Sequence, residues 1–211
     1  VLLDVRPPTR RSAAPTHPTG AEYAAYAAEA AVERYRALGH RVSLAVLGVD
    51  GSHVDVSVRT AGDAIWVENT ATEAGRRAAD AVFEAAAETA AERSAADRAW
   101  RQSLVESESE VDDRTVSSLI AQFPERAELL VVSPLVDRVP LSYAERAAVL
   151  GNGPTLLSPD PTGDGSAGGR LAGARRRTRL REARGVCDRV IDWPADRSLS
   201  AVAAAVERGG R

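Results

Sequence analysis

The sequence predicts a three-layer α/β fold, in which a doubly wound and mainly parallel sheet lies between helices. Apolar runs of strand length recur along the chain, as at residues 42–48 and 129–133, and segments with helical periodicity separate them. These runs are nearly continuous rather than alternating, which is typical of strands covered on both faces. Strands that alternate with helices form right-handed βαβ units, and such units build a parallel sheet.

The first half of the chain opens with four elements. They are a strand at 1–5, a Pro-rich loop at 9–20, a helix at 21–38 that Gly39 ends, and a buried strand at 42–48. Asp50 and Gly51 then predict a hairpin turn, and residues 53–58 alternate between apolar and polar as an edge strand does. The Ala-rich segment at 72–103 contains no proline and predicts a long helix.

The second half of the chain continues this alternation. An acidic stretch at 106–113 predicts a solvated loop that leads into a helix at 115–123, with Asp113 or a neighbour as its cap. The later elements are a buried strand at 129–133, a helix at 142–150, a strand at 155–158, a Gly-rich loop at 159–169, a basic helix at 170–184, a strand at 186–193 and a helix at 198–208.

The composition indicates one soluble domain that spans residues 1–211. With 211 residues, of which 44% are hydrophobic, the chain can bury a sizeable core. A single cysteine excludes an intrachain disulfide and favours a reducing compartment. No run approaches the roughly 20 apolar residues that span a bilayer. The chain contains no Met and opens directly on an apolar strand, so we expect it to be a fragment of a longer protein.

The charge balance argues against a general nucleic-acid binder, and we expect no nucleic-acid partner. The formal net charge is -3, whereas such proteins usually carry a basic surface. The only dense basic feature is the predicted helix at 170–184, which could contact phosphates or an acidic partner. A solvated helix face is the more common explanation of such a charge run.

Two loops are the candidates for a functional face. In an open α/β sheet, ligands bind beyond the carboxyl ends of the strands, where the strand order reverses. The loop after the first strand carries Asp4, Arg6 and Thr9, and the loop after the strand at 129–133 begins with Ser133 and reaches Asp137. We therefore expect these residues to form the binding face.

Three segments resemble those of a von Willebrand factor A-type domain. They are the strand VLLDV at the start, the helix end Leu-Gly-His-Arg before the strand VSLAVLG, and the later strand LLVVSPLVD. More narrowly, the chain resembles an uncharacterised prokaryotic family, number fifty-eight among the catalogued domains of unknown function, which is often encoded beside MoxR-type AAA ATPases. The resemblance runs from Val1 to about Glu207.

The metal site that this resemblance implies is incomplete in the sequence. In such domains a first-strand Asp-x-Ser-x-Ser motif, a Thr from a middle loop and an Asp after the fourth strand hold a divalent cation. Asp4 is kept, but Arg6 and Pro8 replace the two serines, and Ser133-Pro134 stands where Ser-Asp is common. A hard cation needs those oxygen ligands, so we expect neither a metal nor another cofactor.

Arg6 can take the place of the missing cation. Its guanidinium matches the geometry of carboxylates and could pair with Asp4 or Asp137. The alternative has equal weight: Asp4 only caps the following turn, as strand-end aspartates often do, while Arg6 points to solvent.

For function, the resemblance implies a non-catalytic protein-interaction domain that acts with a MoxR-type AAA ATPase in the assembly or maturation of a complex. The docking face would comprise Asp4, Arg6, Thr9, Ser133 and Asp137. The domain would lie in the cytoplasm, tethered to a membrane only through a missing N-terminal segment. The alternative is a nucleotide- or phosphate-binding domain, or an enzyme, that uses the same crevice.

The remaining candidate groups predict structural roles. His17, His40 and His53 lack the spacing of a catalytic triad or a metal site. Cys187 lies in the last predicted strand and is typical of a small buried hydrophobe. The glycines at 163–169 lack the Gly-Lys-Ser/Thr ending of a P-loop, which favours a linker.

Overall fold

Seven strands form one mixed sheet in which the parallel pairings predominate. A computed structural model of the chain describes residues 1–12, 16–54, 56–92, 112–124, 126–163, 166–194 and 196–202. The strands are β1 (Leu2–Asp4), β2 (Leu44–Leu47), β3 (Arg59–Ala61), β4 (Ala64–Val67), β5 (Leu129–Val132), β6 (Pro154–Pro159) and β7 (Arg189–Trp193). Their order is β3-β4-β2-β1-β5-β6-β7. Only the pairings of β4 with β2 and β3 are antiparallel.

Helices cover both faces of this sheet, which confirms the predicted three-layer α/β fold. They are α1 (Gly20–Ala37), α2 (Glu73–Ala91), α3 (Asp113–Ile120), α4 (Val139–Val149) and α5 (Ala167–Ala183). Successive strand residues point to opposite faces, so Leu3 packs in the core beneath α1 and α2. Its neighbour Leu2 packs in the core formed with α3, α4 and α5.

The strand order reverses at β1. From β1 the chain passes through α1 to β2 on one side, whereas β5 pairs with β1 on the other side. The loops that leave β1 and β5 therefore diverge at the carboxyl edge of the sheet. A doubly wound sheet forms its crevice at this switch point.

Local signals explain where α1 begins and ends. The Thr19 side chain accepts a hydrogen bond from the backbone N–H of Glu22, and the Glu22 carboxylate accepts one from the N–H of Thr19. This capping box satisfies two of the free donors at the start of the helix. Gly39 follows the helix with φ 82°, a left-handed conformation that favours glycine.

The predicted strand at 53–58 is wrong for the described residues of that segment, none of which lies in a strand. The Asp50 side chain accepts a hydrogen bond from the N–H of Ser52 and closes a short 3-10 turn at Gly51–His53, so this Asp-Gly pair does not turn a hairpin. The hairpin joins β3 to β4 instead, where Gly62 adopts φ 61°. The strand β4 was not predicted, and its apolar run, Ala-Ile-Trp-Val, has only four residues, fewer than the run at 42–48.

Other boundaries differ from the prediction by several residues. Ser166 accepts a hydrogen bond from the N–H of Gly169, so α5 begins before the predicted residue 170 and includes two glycines of the predicted linker. Cys187 is buried but precedes β7 rather than lying in it. The predicted helix at 72–103 ends at Ala91, and its part beyond residue 92 lies outside the described residues.

Two further predictions cannot be compared in full with the structure. Most of the acidic stretch at 106–113 and the last helix beyond residue 202 lie outside the described residues. Where the chain is described again, Asp112 caps α3 by accepting a hydrogen bond from the N–H of Arg114. Among the described helices, none has the length and apolar character to cross a bilayer.

Candidate functional site

The predicted site residues converge at the switch point of the sheet. Asp4 is the last residue of β1, Ser133 directly follows β5, and Asp137 precedes α4. Because β1 and β5 are parallel neighbours, their carboxyl ends deliver these side chains to the same place. Arg6 reaches back from the loop after β1 and lies between the two aspartates.

Arg6 binds Asp4 with both its side chain and its backbone. The Nε atom donates to Asp4 Oδ1 at 2.8 Å, and the Nη2 atom donates to Oδ2 at 2.9 Å. The backbone N–H of Arg6 also donates to Asp4 Oδ1, at 3.2 Å. Asp4 therefore caps the turn and pairs with the guanidinium at the same time.

The same guanidinium forms a second bidentate pair with Asp137. Nη1 donates to Oδ2 at 3.1 Å and Nη2 donates to Oδ1 at 2.9 Å. Burial lowers the pKa of Arg6, but the charges of Asp4 and Asp137 and their hydrogen bonds outweigh it, so the pKa lies well above its ordinary value. Arg6 thus keeps its charge and holds two carboxylates together.

Hydroxyl groups complete the cluster. Ser133 Oγ donates to Asp4 Oδ2 at 2.8 Å and accepts from the N–H of Leu135 at 3.1 Å. Thr9 Oγ1 lies 2.8 Å from the carbonyl oxygen of Arg6, to which it donates. Both hydroxyl groups therefore form hydrogen bonds within the cluster or with the loops that carry it.

The loop after β5 carries local backbone strain. Leu135 adopts φ 58°, a left-handed conformation that is uncommon for residues other than glycine. Its side chain is fully buried, and its N–H bonds Ser133. Such strain persists only where the surroundings enforce it, so the contacts of this loop define one conformation.

Burial separates the five predicted residues into two groups. Asp4, Thr9 and Ser133 are fully buried, and Asp137 is 7% exposed. The Arg6 side chain is 18% exposed. The alternative in which Arg6 extends into solvent is therefore wrong. It also follows that the three fully buried residues hold the loops in place, and that Arg6 is the most accessible of the five.

Two buried arginines, Arg10 and Arg176, also hold these loops, and neither was predicted as a site residue. Arg10 donates from Nε to the carbonyl oxygen of Val5 at 2.9 Å and from Nη2 to that of Gly48 at 3.0 Å. Arg176 is 3% exposed and donates from Nε to the carbonyl oxygen of Pro134, in the loop after β5, at 3.3 Å. Its Nη2 atom donates to the carbonyl oxygen of Ser158 in β6 at 2.8 Å and to Asp192 in β7 at 2.7 Å.

A sequence signal for Arg176 did exist. It lies four residues after Ala172 and four before Leu180, and all three residues are on the buried face of α5. Periodicity therefore placed it among the apolar positions. Because Arg176 stands in a dense run of arginines, its position on the buried face of the helix was easy to overlook.

A divalent cation does not fit the cluster as it stands. The oxygens of Asp4 and Asp137 that could serve as ligands already accept hydrogen bonds from Arg6, and Arg6 and Pro8 supply no hydroxyl. Among the described residues, no group of three or more His, Cys, Asp or Glu side chains is arranged to hold a metal. A positive guanidinium beside Asp4 would also repel the ion.

Calorimetric titration with Mg²⁺ and Mn²⁺ tests this conclusion. We expect no binding in the micromolar range, because a cation would have to displace a bidentate charged partner from both carboxylates. The Asp4→Ala variant serves as the control. Micromolar binding by the natural chain that Asp4→Ala abolishes would contradict the prediction.

His40, His53 and Cys187 take no part in the hydrogen bonds described above for the cluster. His40 packs edge-on against Tyr35, and His53 is exposed in the 3-10 turn. Burial raises the pKa of the Cys187 thiol to about 11, so the group stays protonated and unreactive near neutral pH. Tyr143, by contrast, is buried close enough to the cluster to sense its charges. Burial, followed by the charge of Asp63, raises the pKa of Tyr143 to about 12, while Arg6 lowers that pKa and Asp4 raises it further.

The fold and the site define a doubly wound α/β domain with an arginine–carboxylate cluster at its switch point. Comparisons with protein-family models, with curated proteins and with solved structures found no match for this chain.

Proposed function

We propose that the chain is a non-catalytic protein-interaction domain whose docking face is formed by the loops after β1 and β5. The observation that supports this most is the double bidentate pairing of Arg6 with Asp4 and Asp137. It joins the two loops through charged, directional bonds. A face held in one conformation loses little entropy when it binds a partner.

The hydrogen bonds of the cluster also argue against catalysis. Asp4 accepts three bonds from Arg6 and one from Ser133. Asp137 accepts two from Arg6 and one from the N–H of Val139. A general base needs a lone pair aimed at its substrate, and a nucleophile needs a neighbouring base. In this cluster the carboxylate oxygens accept hydrogen bonds from groups of the protein itself. The enzyme alternative therefore has less support.

The resemblance to von Willebrand factor A-type domains supplies the partner in this proposal. In this proposal Asp4, at the end of the first strand, corresponds to the first metal ligand of that class of domain, and the Arg6 guanidinium takes the place of the cation. The proposed partner is a MoxR-type AAA ATPase, with the domain acting in the assembly or maturation of a complex. Arg6, the most accessible member of the cluster, would contact it directly.

A binding measurement with a MoxR-type AAA ATPase from the same genome tests the proposal. We expect the natural chain to bind, and we expect Arg6→Lys to weaken binding by about tenfold, because an ammonium cannot bridge two carboxylates as the planar guanidinium does. Biolayer interferometry with the domain immobilised gives both affinities, and circular dichroism verifies that the variant is folded.

The matched control is Arg59→Lys. Arg59 lies on the edge strand β3, is exposed, and pairs with Glu68 away from the switch point. The affinity of the Arg59→Lys variant for the ATPase should match that of the natural chain. Absence of binding by the natural chain, or equal weakening by both variants, would overturn the proposal.

A further inference from the structure

The outer surface of α5 is the most basic helix face that the structure describes. Residues 170–184 contain seven arginines and one acidic residue, Glu182. Arg176 is buried, and Glu182 is paired with Arg138. The exposed arginines of this segment are Arg170, Arg177, Arg181 and Arg184. By contrast, the exposed residues of α1 and α2 include both acidic and basic side chains.

Exposed residues of the segment 170–184 form two adjacent rows, and Glu182, which is also exposed, lies at the carboxyl end of the second row. At about 100° per residue, the four exposed arginines lie within about 60° of one another around the helix. The second row contains Leu171, Ala174 and Thr178, which are also exposed and span a similar arc beside the first. Leu171 is 48% exposed. An arginine row of about 21 Å therefore runs alongside a row whose side chains from Leu171 to Thr178 are uncharged.

Part of this arginine row has no internal counter-charge. Among the described residues, no acidic group forms an ion pair with Arg177, Arg181 or Arg184. Arg177 and Arg181 are four residues apart, and Arg181 and Arg184 are three apart, which are the spacings at which like charges on a helix repel. The row therefore costs stability, and an acidic partner would relieve that cost.

We propose that the exposed face of α5 is an interaction surface for an acidic protein segment. The segment would be an amphipathic helix, with carboxylates facing the arginine row and apolar side chains covering Leu171 and Ala174. Guanidinium groups form bidentate pairs with carboxylates, and an apolar row beside them adds contact area that excludes water. This surface does not depend on the proposed docking face at the switch point.

A nucleic-acid backbone fits this face less well. It would pair with the arginines but would leave Leu171 and the neighbouring uncharged row without a complementary surface. An acidic helix matches both rows at once.

Fluorescence anisotropy with a labelled helical peptide of about four turns tests the proposal. The peptide carries glutamates along one face and leucines along the adjacent one. We expect it to bind at physiological ionic strength, and we expect the variant Arg177→Gln, Arg181→Gln, Arg184→Gln to bind about tenfold more weakly, because three charge pairs are lost. Leu171→Ser should also weaken binding, by a few-fold.

The control variant removes three exposed arginines from other helices, namely Arg34→Gln, Arg76→Gln, Arg146→Gln. It lowers the net charge by the same amount, so its affinity for the peptide should change by less than about twofold. The proposal is overturned if the peptide does not bind, or if both triple variants lose affinity equally. It is also overturned if duplex DNA binds more tightly than the peptide and Leu171→Ser has no effect.

Discussion

Replacing Arg6 with Met is expected to lower the free energy of unfolding by about 3–5 kcal/mol. The Arg6 guanidinium is the bidentate partner of both Asp4 and Asp137. Removing it leaves two charges in a largely buried place without compensation, and breaking a buried pair from one side costs several kcal/mol. A domain of this size is stable by only about 5–15 kcal/mol. Urea unfolding followed by circular dichroism measures the loss.

Two further variants make this measurement specific. In the triple variant Arg6→Met, Asp4→Asn, Asp137→Asn the uncompensated charges are gone, so part of the stability should return. Arg138→Met removes an arginine one residue from Asp137 that pairs with Glu145 and Glu182 at the surface, and it should cost less than about 1 kcal/mol. A loss of under about 1 kcal/mol for Arg6→Met itself would show that the cluster contributes little.

The parallel part of the fold could be predicted because its strands are continuous apolar runs in the sequence. The strands β2 and β5 are covered on both faces, so their apolar runs are nearly continuous. The antiparallel edge could not be found in the same way. Asp50-Gly51 is a strong hairpin signal, but the Asp50 side chain bonds the backbone of Ser52 and forms a 3-10 turn instead.

The site could be predicted only in part. Asp4, Ser133 and Asp137 follow apolar strands, and the rule that strand ends meet at the switch point brought them together. The sequence left two possibilities for Arg6 open, because a loop arginine can point to solvent or to a carboxylate with equal ease. Only the relative positions of two loops that are 131 residues apart in the chain decide between them.

Substituting Gly48 with Ala is expected to lower the free energy of unfolding by about 2–5 kcal/mol. Gly48 follows β2 with φ 91°, where an L side chain is strained by about 1–2 kcal/mol. An added Cβ would lie 2.5 Å from the Cα and the N atoms of Arg6. Backbone atoms cannot move aside without displacing the loop after β1, and such overpacking costs about 1–3 kcal/mol more. Urea unfolding measures the sum.

Gly39→Ala separates the two contributions. Gly39 adopts φ 82°, close to that of Gly48, but nothing lies within 4 Å of the position that its Cβ would occupy. This variant should therefore lose only the backbone strain of about 1–2 kcal/mol. The excess loss in Gly48→Ala is the cost of separating β2 from the loop that carries Arg6.

Since Arg10 donates hydrogen bonds to the carbonyl oxygens of both Val5 and Gly48, that separation would also disturb the contacts that hold the docking face. Equal losses in the two variants would mean that the loop can shift freely, and the rigid docking face proposed for this edge of the sheet would then lose its physical basis.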